Sequence, residues 1–137
     1  MSQENVEAVR AWVAAINRGD VKTLLELADP AVEYMPYLAS LLGGDAYHGH
    51  EGLRRYVEDL KEAWDWYHVD IDELRDLGER VLMVGRLKGR GNTSGLEVEE
   101  ATVGLHTFRE GAGPGRYLGL RFFATPSEAL EAVGLQE

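Results

Sequence analysis

The chain has 137 residues, 45% hydrophobic and 28% charged, a composition that fits one globular domain able to bury a core. It has no cysteine, which excludes a disulfide framework, a thiolate metal site and a cysteine nucleophile. A formal net charge of −10 argues against nucleic acid as a partner, because that affinity comes mostly from cations neutralising phosphates. No apolar run approaches the roughly 20 residues needed to cross a bilayer, so no membrane partner is expected. The opening Met1-Ser2-Gln3-Glu4-Asn5 is polar and lacks the basic-then-apolar order of a signal peptide. A reducing, cytoplasmic setting is the default expectation.

Val6, Val9, Val13 and Ile16 recur at helical spacing with Trp12 on the flank of the stripe, predicting a first helix that stops at Gly19. Asp20 can cap a second helix carrying Val21, Leu24, Leu25 and Ala28, which ends at Asp29-Pro30. Residues 31–37 are β-branched and aromatic and are bounded by prolines, so a strand is predicted. Residues 38–50 contain Gly43-Gly44-Asp45 and read as loop. A third helix is predicted over residues 51–66, with Leu53, Tyr56, Val57, Leu60 and Trp64 inward and Arg54, Glu58, Asp59 and Glu62 outward.

From Tyr67 the alternation has period 2 almost to the end. Turns over residues 77–80, 89–95 and 110–115 divide it into four antiparallel strands, with the first strand, near Glu33, expected at one edge of the sheet. Thr125-Pro126-Ser127-Glu128 then has capping-box form, with proline at the first helical position, and opens a short terminal helix that stops at Gly134. Three helices feeding a meander make an α+β layer arrangement. One sheet face must be covered by the helices, with a cavity beneath them where the sheet bends.

Several ordered motifs carry a resemblance. They are Gly19-Asp20, Asp29-Pro30-Ala31-Val32-Glu33, Gly49-His50-Glu51-Gly52, Ser94-Gly95, Phe108-Arg109-Glu110-Gly111 and Glu128-Ala129-Leu130-Glu131-Ala132. Together they resemble the nuclear transport factor 2-like superfamily, and within it the SnoaL-like branch, over nearly the whole chain. The resemblance implies a single domain over residues 1–137. Its fold would be a cone-shaped, curved antiparallel sheet, with three helices covering the concave face and a short C-terminal helix. It implies no cofactor and no metal. The superfamily includes ketosteroid isomerases, polyketide cyclases, limonene epoxide hydrolases and dehydratases, so the shared fold does not transmit a function.

Matched residue by residue, the isomerase's general base falls on Met35, its oxyanion tyrosine on Trp12 and its protonated aspartate on Gly104. None of these can play those parts, so steroid-type isomerisation is excluded. The cyclases' acid late on the last strand falls among Phe123-Ala124-Thr125 and is missing. The epoxide hydrolases' Asp-Arg-Asp group has no matching set, although Arg121 fits one member.

If Gly104 faces the pocket, alternation brings Glu100, Thr102 and His106 with it, and Met35 brings Glu33 on the first strand. A hairpin centred near Ala112 sets Arg121 opposite Gly104. The glycine-rich residues 111–115 leave that register open by one residue, and such a slip reverses the faces of the last strand. The expected lining is then Trp12, Glu33, Met35, Trp64, Thr102, His106 and Arg121, mostly apolar with a few polar groups, as small-molecule sites are.

His106 is the candidate acid–base group and Glu33 its partner. Trp12, Met35, Trp64, Thr102 and Arg121 are candidate ligand-binding residues. Each also has a plainer reading: a hydrogen-bonded core histidine, a solvated strand glutamate, core tryptophans, an arginine paired with Glu99 or Glu100. His48-Gly49-His50 lacks a third ligand at a characteristic spacing, so no metal is expected.

The functional expectation is a pocket protein for a small, largely apolar molecule. Acid–base catalysis of isomerase, cyclase or hydrolase type stands beside a non-catalytic binding module or a dimeric scaffold of the same fold. A convex face carrying Ala101, Val103 and Leu105 bare to water predicts a homodimer.

Overall fold

The computed structural model describes residues 2–134. In chain order the elements are α1 (Ser2–Arg18), α2 (Val21–Leu27), β1 (Ala28–Tyr34), α3 (Tyr37–Leu42), β2 (Tyr47–His48), α4 (Gly49–Ala63), β3 (Trp64–Asp76), β4 (Arg80–Gly91), β5 (Glu97–Phe108), β6 (Tyr117–Phe123) and α5 (Pro126–Ala132). The strands form one unclosed six-stranded sheet in the order β2-β1-β6-β5-β4-β3. The expected α+β fold class and the four-stranded antiparallel meander are both present. No helix among the described residues is long and apolar enough to cross a membrane.

Helices α1, α2 and α4 lie across the concave face because each carries one apolar stripe. Val9, Trp12, Val13 and Ile16 from α1, Leu24 from α2, and Leu53, Tyr56 and Val57 from α4 are buried. They join one core cluster with Val32 and Tyr34 of β1, Val81 and Met83 of β4, Phe108 of β5, and Tyr117 and Leu120 of β6. At the start of α2 the Asp20 side chain accepts from the Thr23 amide at 3.2 Å and from its hydroxyl at 2.7 Å, which caps the helix as expected.

The sheet owes its bend to irregular pairing. β3 and β4 shift register at Trp64/Trp66 and again at Ile71/Glu73, and such bulges increase local twist. Opposite the second shift stands Gly85, where an added Cβ would meet the Asp70 carbonyl oxygen at 2.4 Å. Only glycine admits so close an approach.

Four details differ from expectation. The first strand is not the sheet edge: the two-residue β2 lies outside it, and β1 runs parallel to β6. The stretch expected as loop contains α3 and β2. The third helix ends at Ala63, and Trp64 and Trp66 open β3. The reason lies far along the chain, where Asn92 in the β4–β5 turn donates its backbone N–H to the Ala63 carbonyl at 2.8 Å and its side chain to the Glu62 carbonyl at 2.9 Å. These bonds satisfy carbonyls that the helix end leaves free.

The fourth difference is on the convex face. Leu105 is buried, not bare, because α5 packs Ala129 and Leu130 over Leu82 and Leu105, with Val103 and Phe123 alongside. Of the three residues that motivated a homodimer, the C-terminal helix buries Leu105, while Val103 stays half-buried and Ala101 exposed.

Candidate functional site

Within the cone the concave side chains leave a cavity of about 30 Å³. Its lining is Trp12, Val13 and Ile16 from α1, Tyr34 of β1, Tyr37 of α3, and Tyr67, Val69, Met83, Leu87, Thr102, His106, Leu120 and Phe122 from β3 to β6. On this measure one water needs roughly 10–15 Å³, so the space fits the head of a small molecule.

Of the expected lining residues the structure brings three together: Trp12, Thr102 and His106. The alternation along β5 that placed Thr102, Gly104 and His106 on one face holds, and all three are buried. Glu100, next in that alternation, is exposed at the rim, where it accepts a hydrogen bond from the Tyr37 hydroxyl at 3.4 Å.

Glu33 is not a partner of His106. Its side chain is 67% exposed and lies 3.6 Å from His48 on the neighbouring edge strand. In β1 the larger apolar side chains, Val32 and Tyr34, take the core face, which turns Glu33 outward. Met35 falls just beyond the strand, half-buried, and Tyr34 occupies the place expected for it. Trp64 packs edge-on to Tyr67, ring centroids 5.5 Å apart, and lines shallow grooves beside α4, not the cavity.

Arg121 is on the opposite face, exposed, with its guanidinium 4.8 Å from the Phe123 ring centroid. The expected register holds for one pair, Phe108↔Tyr117, and then slips by one residue, so that Leu105 faces Arg121 and Gly104 faces Phe122. The slip occurs beside Gly119, whose φ is +150° and whose added Cβ would strike the Glu33 carbonyl oxygen at 2.2 Å. The bulge turns Tyr117, Leu120 and Phe122 inward and Arg121 outward.

Of the two histidines flanking Gly49, His48 faces Glu33, while His50 Nε2 lies 2.9 Å from the Ala28 carbonyl oxygen.

Tyr117 is the residue that sequence reading missed and the site depends on. Its hydroxyl lies 2.8 Å from His106 Nδ1, and both side chains are fully buried. The Trp12 indole stacks on the Tyr117 ring at 3.8 Å, and Phe108 packs edge-on against it at 5.5 Å. Burial alone pushes the His106 imidazole down to about 3, so it is neutral at physiological pH. Burial also raises Tyr34, Tyr56 and Tyr117, so their phenols keep their protons.

Among the described residues, three buried side-chain polar atoms close no hydrogen bond: Trp12 Nε1, His106 Nε2 and the Tyr56 hydroxyl. The Tyr34 hydroxyl is near enough to feel both Trp12 and Tyr56, yet no hydrogen bond closes at either of those atoms. Tyr67 acts on Tyr56 as well, so His106 Nε2 is the one of the three on which no polar side chain acts, and a buried polar atom left in that state is rare.

A six-stranded half-cone roofed by three helices, with a cavity at its axis, defines the nuclear transport factor 2-like class of fold. The profile of the SnoaL-like domain matches residues 9–112, and the chain belongs to that family. No protein of curated function matches it significantly. Among solved structures it is similar to a nuclear transport factor 2-like protein of unknown function from Burkholderia pseudomallei, with a TM-score of 0.73 and 21% identity over 96% of this chain and 98% of the other. It is also similar to a putative SnoaL-like polyketide cyclase from Jannaschia, with a TM-score of 0.71 and 20% identity over 89% and 85% of the two chains. A third likeness is to TerC co-crystallised with polyporic acid, with a TM-score of 0.71 and 21% identity over 93% and 96%. At these identities the likeness is one of fold.

Proposed function

We propose that this chain is a small-molecule pocket protein that holds a compact, largely apolar, uncharged molecule in its cone, by binding and not by proton transfer. One observation carries the reading. Among the described lining residues there is a single imidazole and no carboxylate, lysine or arginine. That imidazole is neutral, and Glu33, the carboxylate expected to tune it, faces solvent on the far side of β1. General acid–base catalysis needs a group whose pKa lies near the working pH, and neither a deeply lowered imidazole nor raised phenols meet that need.

The fold neighbours fit a pocket role, TerC having been crystallised with a small organic molecule. Catalysis on the same molecule is the second reading, and the unpartnered His106 Nε2 is the observation that favours it. Native mass spectrometry of the protein as purified, followed by identification of whatever it releases, tests the proposal. The expected result is an adduct of one small neutral compound that is returned chemically unchanged after incubation with fresh protein. A compound converted in that incubation would overturn binding in favour of catalysis.

A further inference from the structure

β3 is 13 residues long and closes one side of the sheet, with β4 on one flank and no strand of the described residues on the other. A free edge of this kind presents backbone N–H and C=O groups that can pair with another chain. At its middle the edge is closed by a side chain. Asn17, in the last turn of α1, donates from Nδ2 to the Val69 carbonyl at 2.9 Å, and its Oδ1 accepts from the Val69 N–H at 2.8 Å. Only one orientation of the amide sets its donor on the carbonyl and its acceptor on the N–H, so the bonds themselves fix the assignment.

A carboxamide carries the same donor and acceptor as a peptide unit. The two bonds at Val69 are those that an added antiparallel strand would make at a hydrogen-bonded position. Both Val69 backbone groups therefore point away from Leu87, the residue opposite in β4. Beside this contact a groove of about 180 Å³ runs between the C-terminal ends of α1 and α4, lined on the strand side by residues 64–67. Its lining includes Asn17 and not Val69, so Asn17 stands between the open part of the edge and the strand's middle.

The strand behind Asn17 suits its own copy. Between the two register shifts of β3, pairing with β4 is regular over residues 66–71. An antiparallel pair with its two-fold axis at Val69 sets Tyr67 against Ile71 and His68 against Asp70. Tyr67, Val69 and Ile71 pack toward the core, while His68 and Asp70 take the other face, where they already lie 3.1 Å apart within one chain. Each face is thus self-complementary, aromatic against aliphatic on one and histidine against carboxylate on the other.

We infer that the outer edge of β3 is a strand-pairing surface for a second copy of this chain, and that the Asn17 side chain holds it shut. This goes beyond the binding role of the cone and does not depend on it.

Light scattering at tens of micromolar tests the inference. Asn17→Ala removes both bonds at Val69, and its mass is expected at twice the wild-type value. Adding His68→Asp to that variant sets carboxylates against each other across the pair, and the mass should return to the wild-type value. If Asn17→Ala does not fold, Asn17→Ser takes its place, because its shorter side chain cannot span both backbone groups. In the wild type the Val69 amide should exchange with deuterium as slowly as amides within the β4–β5 ladder. A folded variant of wild-type mass would overturn the inference. So would a doubled mass that His68→Asp leaves in place, since another surface would then be responsible. Rapid exchange at Val69 would show that the edge is already open, and would overturn the role given to Asn17.

Discussion

The two faces of the sheet treat polar groups in opposite ways. On the convex face, beyond the patch covered by α5, the charged side chains pair with one another. Arg86 lies 3.1 Å from Asp72 and 3.8 Å from Glu99, Lys88 3.0 Å from Asp70, and Arg90 3.7 Å from Asp65. On the concave face none of the described lining groups is charged, yet Trp12 Nε1 and His106 Nε2 are buried with no hydrogen bond closed. The face with the most charge asks nothing of a ligand, because its groups are already matched and solvated. The face with almost no charge does, because a buried polar atom left without a hydrogen bond is costly. Formal charge is therefore a poor guide to the working surface of this chain, and unmet hydrogen bonds are the better one.

This division of faces depends on one backbone irregularity, and breaking it should give the largest effect. Gly119→Ala would drive a methyl group into the Glu33 carbonyl oxygen, at 2.2 Å, at the seam where β6 meets β1. Neither partner is a flexible side-chain end, so the backbone itself must move. The expected cost is about 3 kcal/mol or more, read from the urea midpoint. Gly113→Ala is the control, since its φ is +88° and nothing lies within 4 Å of an added Cβ. It should cost about 1 kcal/mol from backbone strain alone. Equal losses in the two variants would show that the seam is not tight and that the bulge does not fix which side chains of β6 face the cone.

Much of the fold was legible because periodicity reports burial. The α1 stripe, the Asp20 cap and the alternation of Thr102, Gly104 and His106 all stand where the sequence puts them. What was not legible depended on contacts between distant segments. Asn92 ends α4 from the next turn but one, and nothing within the helix announces it. The bulge at Gly119 reverses Arg121 and brings in Tyr117, and a glycine-rich turn cannot reveal which residue is the extra one. Glu33 is a different failure: Val32-Glu33-Tyr34 alternates plainly, and the residue pattern alone would have turned the glutamate outward. The expectation of an inward Glu33 comes from the matched family position of Met35, two residues on.

The next effect sharpens the contrast at His106. Its folded value of about 3 lies below the ordinary 6.5. The unfolded chain therefore binds the proton first as pH falls, and stability is lost between about pH 6.5 and 3. Within that window the loss is about 1.4 kcal/mol for each pH unit, and above it this group contributes no pH dependence. Urea unfolding at half-unit steps from pH 7 to 4 measures the slope, and His106→Gln should flatten it. The Asp29 carboxyl, held down by its hydrogen bond from Arg109, acts lower, below the ordinary carboxylate value of 3.8. The two contributions therefore separate along the pH axis. A wild-type slope that survives in His106→Gln would mean that another group carries it and that the ring is not buried as neutral imidazole.

The smallest effect belongs to the convex face, and it tests whether matched charges there are as idle as their exposure implies. Arg86 is the most connected of them, with Nη2 and Nε both donating to Asp72 at 3.1 and 3.2 Å, and Nη1 near Glu99. A bidentate pair is the strongest geometry an exposed arginine can make. Even so, its side chain is 43% exposed, its partners 42% and 59%, and water competes for each bond. Exposed pairs of this kind contribute little and are screened by salt. Arg86→Ala should shift the melting temperature by no more than about 2 °C, with the shift shrinking in 1 M salt. It should leave the small-molecule adduct seen by native mass spectrometry unchanged, because Arg86 and the cavity are on opposite faces of β4. A melting loss of 5 °C or more, or a change in ligand affinity, would mean that the ladder supports the cone through the strand, and the two faces could no longer be treated as independent.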